Sequence, residues 1–154
     1  MKIEILPTRA ALGTTAASAI AAFLRAHTPL AAMFAAAPSQ TETLKALIAE
    51  PGIDWPRIQA FHLDEYSGAT PESSHSFRRY LIDTVFSRVP IASFEGLQAE
   101  SVDLEAECKR YSDALANANP TVALLGIGEN GHLAFNDPPA ARFDDPARIT
   151  PKTP

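Results

Sequence analysis

Three short apolar runs, at residues 30–36, 58–63 and 121–125, alternate along the chain with segments whose apolar residues recur at helical spacing. No other feature restricts the fold as much. Parallel strands need crossover connections of a dozen residues or more, usually helical, and a strand covered on both faces reads as a near-continuous apolar run. The pattern predicts an α/β fold: a three-layer, mainly parallel, Rossmann-like sheet with helices on both faces. The chain shows no repeat of 20 to 50 residues, so solenoid and propeller architectures are not indicated.

The helical segments carry recognisable start signals. Thr8, after Pro7, is a candidate N-cap for a first helix with Ala16, Ile20, Phe23 and Leu24 on one face. Ser39 and Glu42 stand at capping-box spacing, which predicts a helix starting near Ser39 with Leu44, Leu47 and Ile48 as its stripe. A third helix is expected to hold Phe77, Leu81 and Val85. Asp103 caps a fourth, with Leu104, Cys108, Tyr111 and Leu115 on one face. Residues 2–6 are expected to be extended. Residues 138–154 contain five of the 13 prolines, so little regular structure is expected there.

Composition narrows the class. With 46% apolar and 20% charged residues the chain has material for a core, and its 154 residues suit one domain, residues 1–154. Its 13 Lys+Arg against 18 Asp+Glu leave a formal charge of −5, and no basic cluster is present. A nucleic-acid or anionic-membrane partner is therefore not expected. The apolar stretch at 10–24 is broken by Gly13, Thr14, Thr15 and Ser18 and is too short to span a bilayer. The single cysteine, Cys108, can form no internal disulfide, which points to the cytoplasm.

Ligands of parallel sheets gather at the carboxyl ends of strands. That rule selects residues 37–41, 64–68 and 126–137. In the last, Gly126, Gly128 and Gly131 surround Asn130 and are followed at once by His132. The loop is either a flexible strand-to-helix turn or a site where backbone approaches a ligand. Its G-x-G-x-x-G spacing lies too late in the chain for a dinucleotide fingerprint, since no strand with a ribose-binding acid follows. An imidazole at His132 can act as acid and base, with Asn130 and Asp137 able to orient it.

Asp64 and Glu65 are either caps of the next turn or include a half-buried carboxylate that accepts protons. Ser39, Gln40 and Thr41 either belong to a simple helix start or help hold a phosphate. His62 reads as a core histidine, His75 as a loop residue, His27 as a helix C-terminal residue, and Trp55 as a packing residue. Cys108 is expected to pack on its helix, and Arg78 and Arg79 to be solvated. No metal is expected, because His62, Asp64, His75 and His132 show no recognised ligand spacing.

Two motifs make the chain resemble the glucosamine-6-phosphate deaminase and 6-phosphogluconolactonase superfamily, and within it the deaminase branch. They are FHLDEY at residues 61–66, followed by Pro71-Glu72-Ser73 and Ser76-Phe77, and GIGENGHLAFNDP at residues 126–138. The resemblance implies that Asp64 moves a proton between C2 and C1 of an amino-sugar phosphate. It further implies that His132 assists ring opening with Asn130 and Asp137 as its partners. The expected reaction is aldose–ketose isomerisation with hydrolytic deamination, without a cofactor. Ser39, Gln40, Thr41, Glu65, Gly128 and Gly131 are the expected substrate-binding residues. The expected partner is a small-molecule sugar phosphate, and homo-oligomers are permitted.

Alternative readings are a 6-phosphogluconolactonase-like hydrolase, in which His132 activates water, and a non-catalytic sugar-phosphate sensor. Two departures from the family pattern bear on the substrate: residues 35–40 read AAAPSQ where a Gly-Ser/Thr-rich loop is common, and Asp137 stands where a glutamate is usual. Family members run further than this sequence, so the chain is expected to be an N-terminal portion, incomplete at the C-terminus.

Overall fold

The computed structural model describes residues 2–139 together with 141, 142 and 144. Helix α1 (Arg9–His27) leads to strand β1 (Leu30–Phe34), and a 3-10 turn (Pro38–Gln40) opens helix α2 (Thr41–Leu47). Strand β2 (Ile58–His62) follows, then helix α3 (Phe77–Leu81), which runs on into a π turn (Ile82–Phe86). Strand β3 (Ser93–Glu95), helix α4 (Leu104–Ala118) and strand β4 (Val122–Leu124) complete the described elements. Most of residues 138–154 lie outside the described residues.

All strand pairs are parallel, in the order β3-β2-β1-β4. This is the predicted α/β sheet, with helices on both faces. Ala32 pairs with Ala60 and Val122, and Phe34 with His62 and Leu124, so β1 sits in the middle with backbone partners on both sides. On one face Ala32, Phe34, Ile58, Ala60 and Leu124 pack with Leu44, Leu47 and Val85. On the other, Ala31 and Phe61 pack with Leu97 and Tyr111. The alternation follows from the two-residue period of a strand. Alanines in β1 let the covering layers come close.

The caps at Thr8 and Asp103 form as expected. Thr8 accepts the Ala11 N–H at 3.1 Å, and Asp103 accepts that of Ala106 at 2.9 Å. The capping box at Ser39 does not form. Pro38 already occupies the first turn, so Ser39 lies inside it, while Glu42 pairs with Arg9 at 2.9 Å. The buried face of α1 also differs: Gly13, Ala17, Ala21 and Leu24 are covered, whereas Ala16, Ile20 and Phe23 are only partly so. Small residues win that face because α2 lies very close. Residues 2–6 stay outside the sheet, with Ile5 94% exposed. Among the described residues no helix is long and apolar enough to cross a membrane.

The close approach gives a testable sign. A Cβ at Gly13 would lie 2.7 Å from the Glu42 Cβ and 2.8 Å from its carbonyl carbon, and backbone cannot swing aside as a side-chain tip can. Alanine normally improves a helix interior by about 1 kcal/mol over glycine. Here the overlap is expected to outweigh that gain, so Gly13→Ala should lower stability by about 1 kcal/mol. A urea midpoint that rose in this variant would refute the close packing of α1 on α2.

Candidate active site

The strand order reverses at β1 and β4, and such a switch point leaves a crevice at the carboxyl ends. A cleft of about 510 Å³ opens there. Its walls come from the segments that follow β1, β2 and β4: Ser39 from the first, Asp64 from the second, and Gly128, His132 and Asp137 from the third. The three sequence segments chosen for their position at strand ends thus meet in one place. The loops after β1 and β4 touch at the cleft floor, where a Cβ on Gly126 would lie 2.7 Å from that of Ala37 and 3.1 Å from Ser39 Oγ.

Asp64 follows β2 by two residues and is only half exposed to water. Burial, reinforced by the neighbouring negative charge of Glu65 and opposed by His132, pushes its pKa up to about 6. A carboxylate in that range accepts a proton near neutral pH far better than an ordinary one. The end of β2 is held firmly from α4. The Tyr111 hydroxyl accepts the His62 N–H at 3.1 Å and donates to the His62 carbonyl at 2.6 Å. His62 itself is in the core, as expected, fully buried, and its Nε2 accepts the Leu97 N–H. Desolvation pushes its pKa down to about 4, so it stays neutral.

The His132 imidazole is oriented by its own loop. Nδ1 lies 2.7 Å from Asn130 Oδ1 and 3.0 Å from Asp137 Oδ1, and the Asn130 amide donates to that same Asp137 oxygen at 3.0 Å. With acceptors on that side, the neutral ring carries its hydrogen on Nδ1, which makes Nε2 the nitrogen that takes up a proton. The ring lies directly over Gly128, where any Cβ would overlap it. Gly131, at φ +86°, turns the loop by donating to the Gly128 carbonyl at 2.9 Å and does not line the cleft. Asn130 likewise acts behind His132 rather than on the cleft wall.

Three other residues expected to bind substrate do not line the cleft. Glu65 is a cap: its carboxylate accepts the N–H groups of Phe77 at 3.0 Å and Arg78 at 2.9 Å, and the Ser76 hydroxyl at 2.8 Å. Free N–H groups at the start of α3 attract a carboxylate, and Glu65 is the one within reach. Thr41 donates to the Pro38 carbonyl at 3.0 Å and faces the Tyr80 hydroxyl. Gln40 is buried with both amide atoms lacking a hydrogen bond, and lies beneath the cleft rather than in its wall. Arg78 is also not solvated, since it forms two 2.9 Å contacts with Glu100 and its side chain is 12% exposed.

The sequence reading missed the aromatic wall of the cleft: Tyr66, Phe77 and Phe135. Tyr66 and Phe135 belong to the two motifs and Phe77 to the segment that follows the first, which was the available signal. Among the described residues no three His, Cys, Asp or Glu side chains group to hold a metal ion.

Known proteins bear on the same segments. The chain is 38% identical over 101 residues to a glucosamine-6-phosphate deaminase of Exiguobacterium sp., covering 66% of this chain and 39% of that protein. It is 35% identical over 144 residues to one of Arthrobacter sp., covering 90% and 55%. The structure superposes on that of a monomeric glucosamine-6-phosphate deaminase with a TM-score of 0.82 and 28% identity, over 90% of this chain and 60% of that one. The chain therefore spans between about two fifths and three fifths of the length of these relatives. The model of glucosamine-6-phosphate isomerases/6-phosphogluconolactonase matches residues 8–150, nearly the whole sequence and all three segments that build the cleft, and the chain belongs to that family.

Proposed function

We propose that this chain carries the proton-transfer part of an amino-sugar phosphate deaminase. The observation that carries the reading is a single one: a carboxylate with its pKa raised to about 6 shares a cleft with an imidazole whose Nδ1 is anchored by Asn130 and Asp137. The oriented imidazole moves the proton that ring opening requires at the sugar's ring oxygen. The open chain then has an acidified hydrogen at C2, beside the C1 carbonyl. Asp64 takes that proton and returns it to C1 through an enolamine, leaving a ketimine at C2. Addition of water to the ketimine releases ammonia and the ketose phosphate, and no electrons leave the substrate.

Ser39 and Gly128 border the same cleft and are the residues we place against the substrate. The names of the relatives support glucosamine 6-phosphate as the substrate. The four strands share one sheet, which supports a single domain, and the lone Cys108 supports a cytoplasmic setting.

Incubation with glucosamine 6-phosphate, followed by assay of ammonia and fructose 6-phosphate, tests the reading directly. Stoichiometric release of both products is expected, with solvent deuterium entering at C1. Hydrolysis of a 6-phosphogluconolactone with no deuterium exchange into the amino sugar would instead favour lactonase chemistry, which needs no proton abstraction from carbon. Tight sugar-phosphate binding with neither reaction would indicate a sensor.

A further inference from the structure

Asp64 and His132 are carried by separate segments, the first following β2 and the second following β4. Gly128 N–H to His132 O, Gly131 N–H to Gly128 O, and Asn136 N–H to Leu133 O set only the loop's internal shape. Three rings bridge the gap. Tyr66 lies two residues after Asp64, Phe77 is the first residue of α3, and Phe135 comes three residues after His132. The Tyr66 and Phe77 ring centroids are 5.0 Å apart. Phe135 is 5.0 Å from Tyr66 and lies nearly parallel to Phe77 at 6.1 Å.

The seat for Phe135 is itself built by the strand end. Glu65, adjacent to Asp64, accepts the Phe77 N–H at 3.0 Å and so brings the start of α3 beside Tyr66. Ring pairs in this range have preferred geometry, which makes them better spacers than aliphatic contacts.

We propose that Phe135, seated on Tyr66 and Phe77, is a positioning residue that sets the His132 loop against Asp64. The role rests on the reading under Proposed function but is tested without the reaction. The charges facing Asp64 are Glu65 and His132, and His132 in turn faces Asp137. Protonated His132 favours the Asp64 carboxylate, so His132→Gln should raise the Asp64 midpoint followed by carboxyl carbon NMR across a pH titration of the full chain. That upward shift is expected to be lost in a Phe135→Ala background and retained in Phe135→Tyr. Should Phe135→Ala lose its helical circular dichroism, Phe135→Leu, which keeps apolar volume in the seat, is the variant scored, and the shift is expected to shrink.

An undiminished shift in the folded Phe135→Ala or Phe135→Leu protein overturns the positioning role. Absence of any shift on His132→Gln in the native background also overturns it, since there is then no proximity to maintain. Failure of the ammonia assay with this coupling intact would count against the deaminase reading alone.

Discussion

Asp64→Asn is expected to produce two opposite effects in one variant: loss of turnover and a gain in stability at neutral pH. In the proposed reaction Asp64 is the general base, and removing such a group costs about 10²- to 10⁴-fold in rate, so ammonia release from glucosamine 6-phosphate should fall by that factor. The stability gain comes from linkage. The folded protein raises the Asp64 pKa to about 6 from an ordinary value of 3.8, so between these pH values the folded state holds more protons than the unfolded one. Stability must then decrease as pH rises through that window, and above about pH 6 the whole cost of an ionised, half-buried carboxylate is present. Asparagine carries no charge and escapes that cost. The variant should be more stable than the parent by roughly 1–2 kcal/mol at pH 7, allowing for solvent screening at this partly exposed site. The difference should shrink as pH falls towards 4. Thermal midpoints of both proteins at pH 4 and pH 7 check the sign, and equal midpoints at pH 7 would contradict the raised pKa.

Gly128→Ala is expected to lower turnover by about 10²-fold while leaving the fold intact, because a displacement of order 1 Å in a reacting group can cost that much. The added methyl would occupy the space of the His132 imidazole. The ring must swing away, breaking its Nδ1 contacts with Asn130 and Asp137 and moving Nε2 in the cleft. Gly128 stands in a partly exposed loop outside both apolar clusters, so the thermal midpoint should change by the equivalent of about 0.5 kcal/mol or less. Steady-state rates alongside a melting curve separate the two effects. Unaltered turnover would show that the ring position over Gly128 does not matter for the chemistry.

The strands β1, β2 and β4 were legible because each is a short apolar run, the pattern that burial on both faces demands of β1 and β2 and that β4 keeps although Ala123 is exposed. Strand β3 was not. Its three residues Ser93, Phe94 and Glu95 include one apolar side chain and none that is fully buried, so no apolar run marked them. The caps at Thr8 and Asp103 were legible because a cap is satisfied by an N–H three residues away. The failed box at Ser39 shows the limit of the same logic: Arg9, 33 residues from Glu42, competes for its carboxylate, and local spacing cannot register a competitor so distant.

The sequence by itself determined the α/β class and the segments that end at the cleft, because backbone period and strand-end placement are properties of a few neighbouring residues. The quoted motifs likewise carried Asp64, His132, Asn130 and Asp137. Only the tertiary structure shows why Asp64, and not the adjacent Glu65, is the carboxylate left to the cleft. Asp64 and Glu65 have the same chemistry and almost the same position in the chain. Glu65 is held by the Ser76 hydroxyl and by the N–H groups of Phe77 and Arg78, eleven to thirteen residues on, and its charge is satisfied there. Asp64 is left facing a half-buried cleft, where loss of water rather than a partner governs its proton affinity. The wall of Tyr66, Phe77 and Phe135 arose in the same way. Three residues spread over 70 positions became neighbours only when a helix start, a strand end and a glycine loop were folded against one another, and contact at that distance leaves no periodic trace in the sequence.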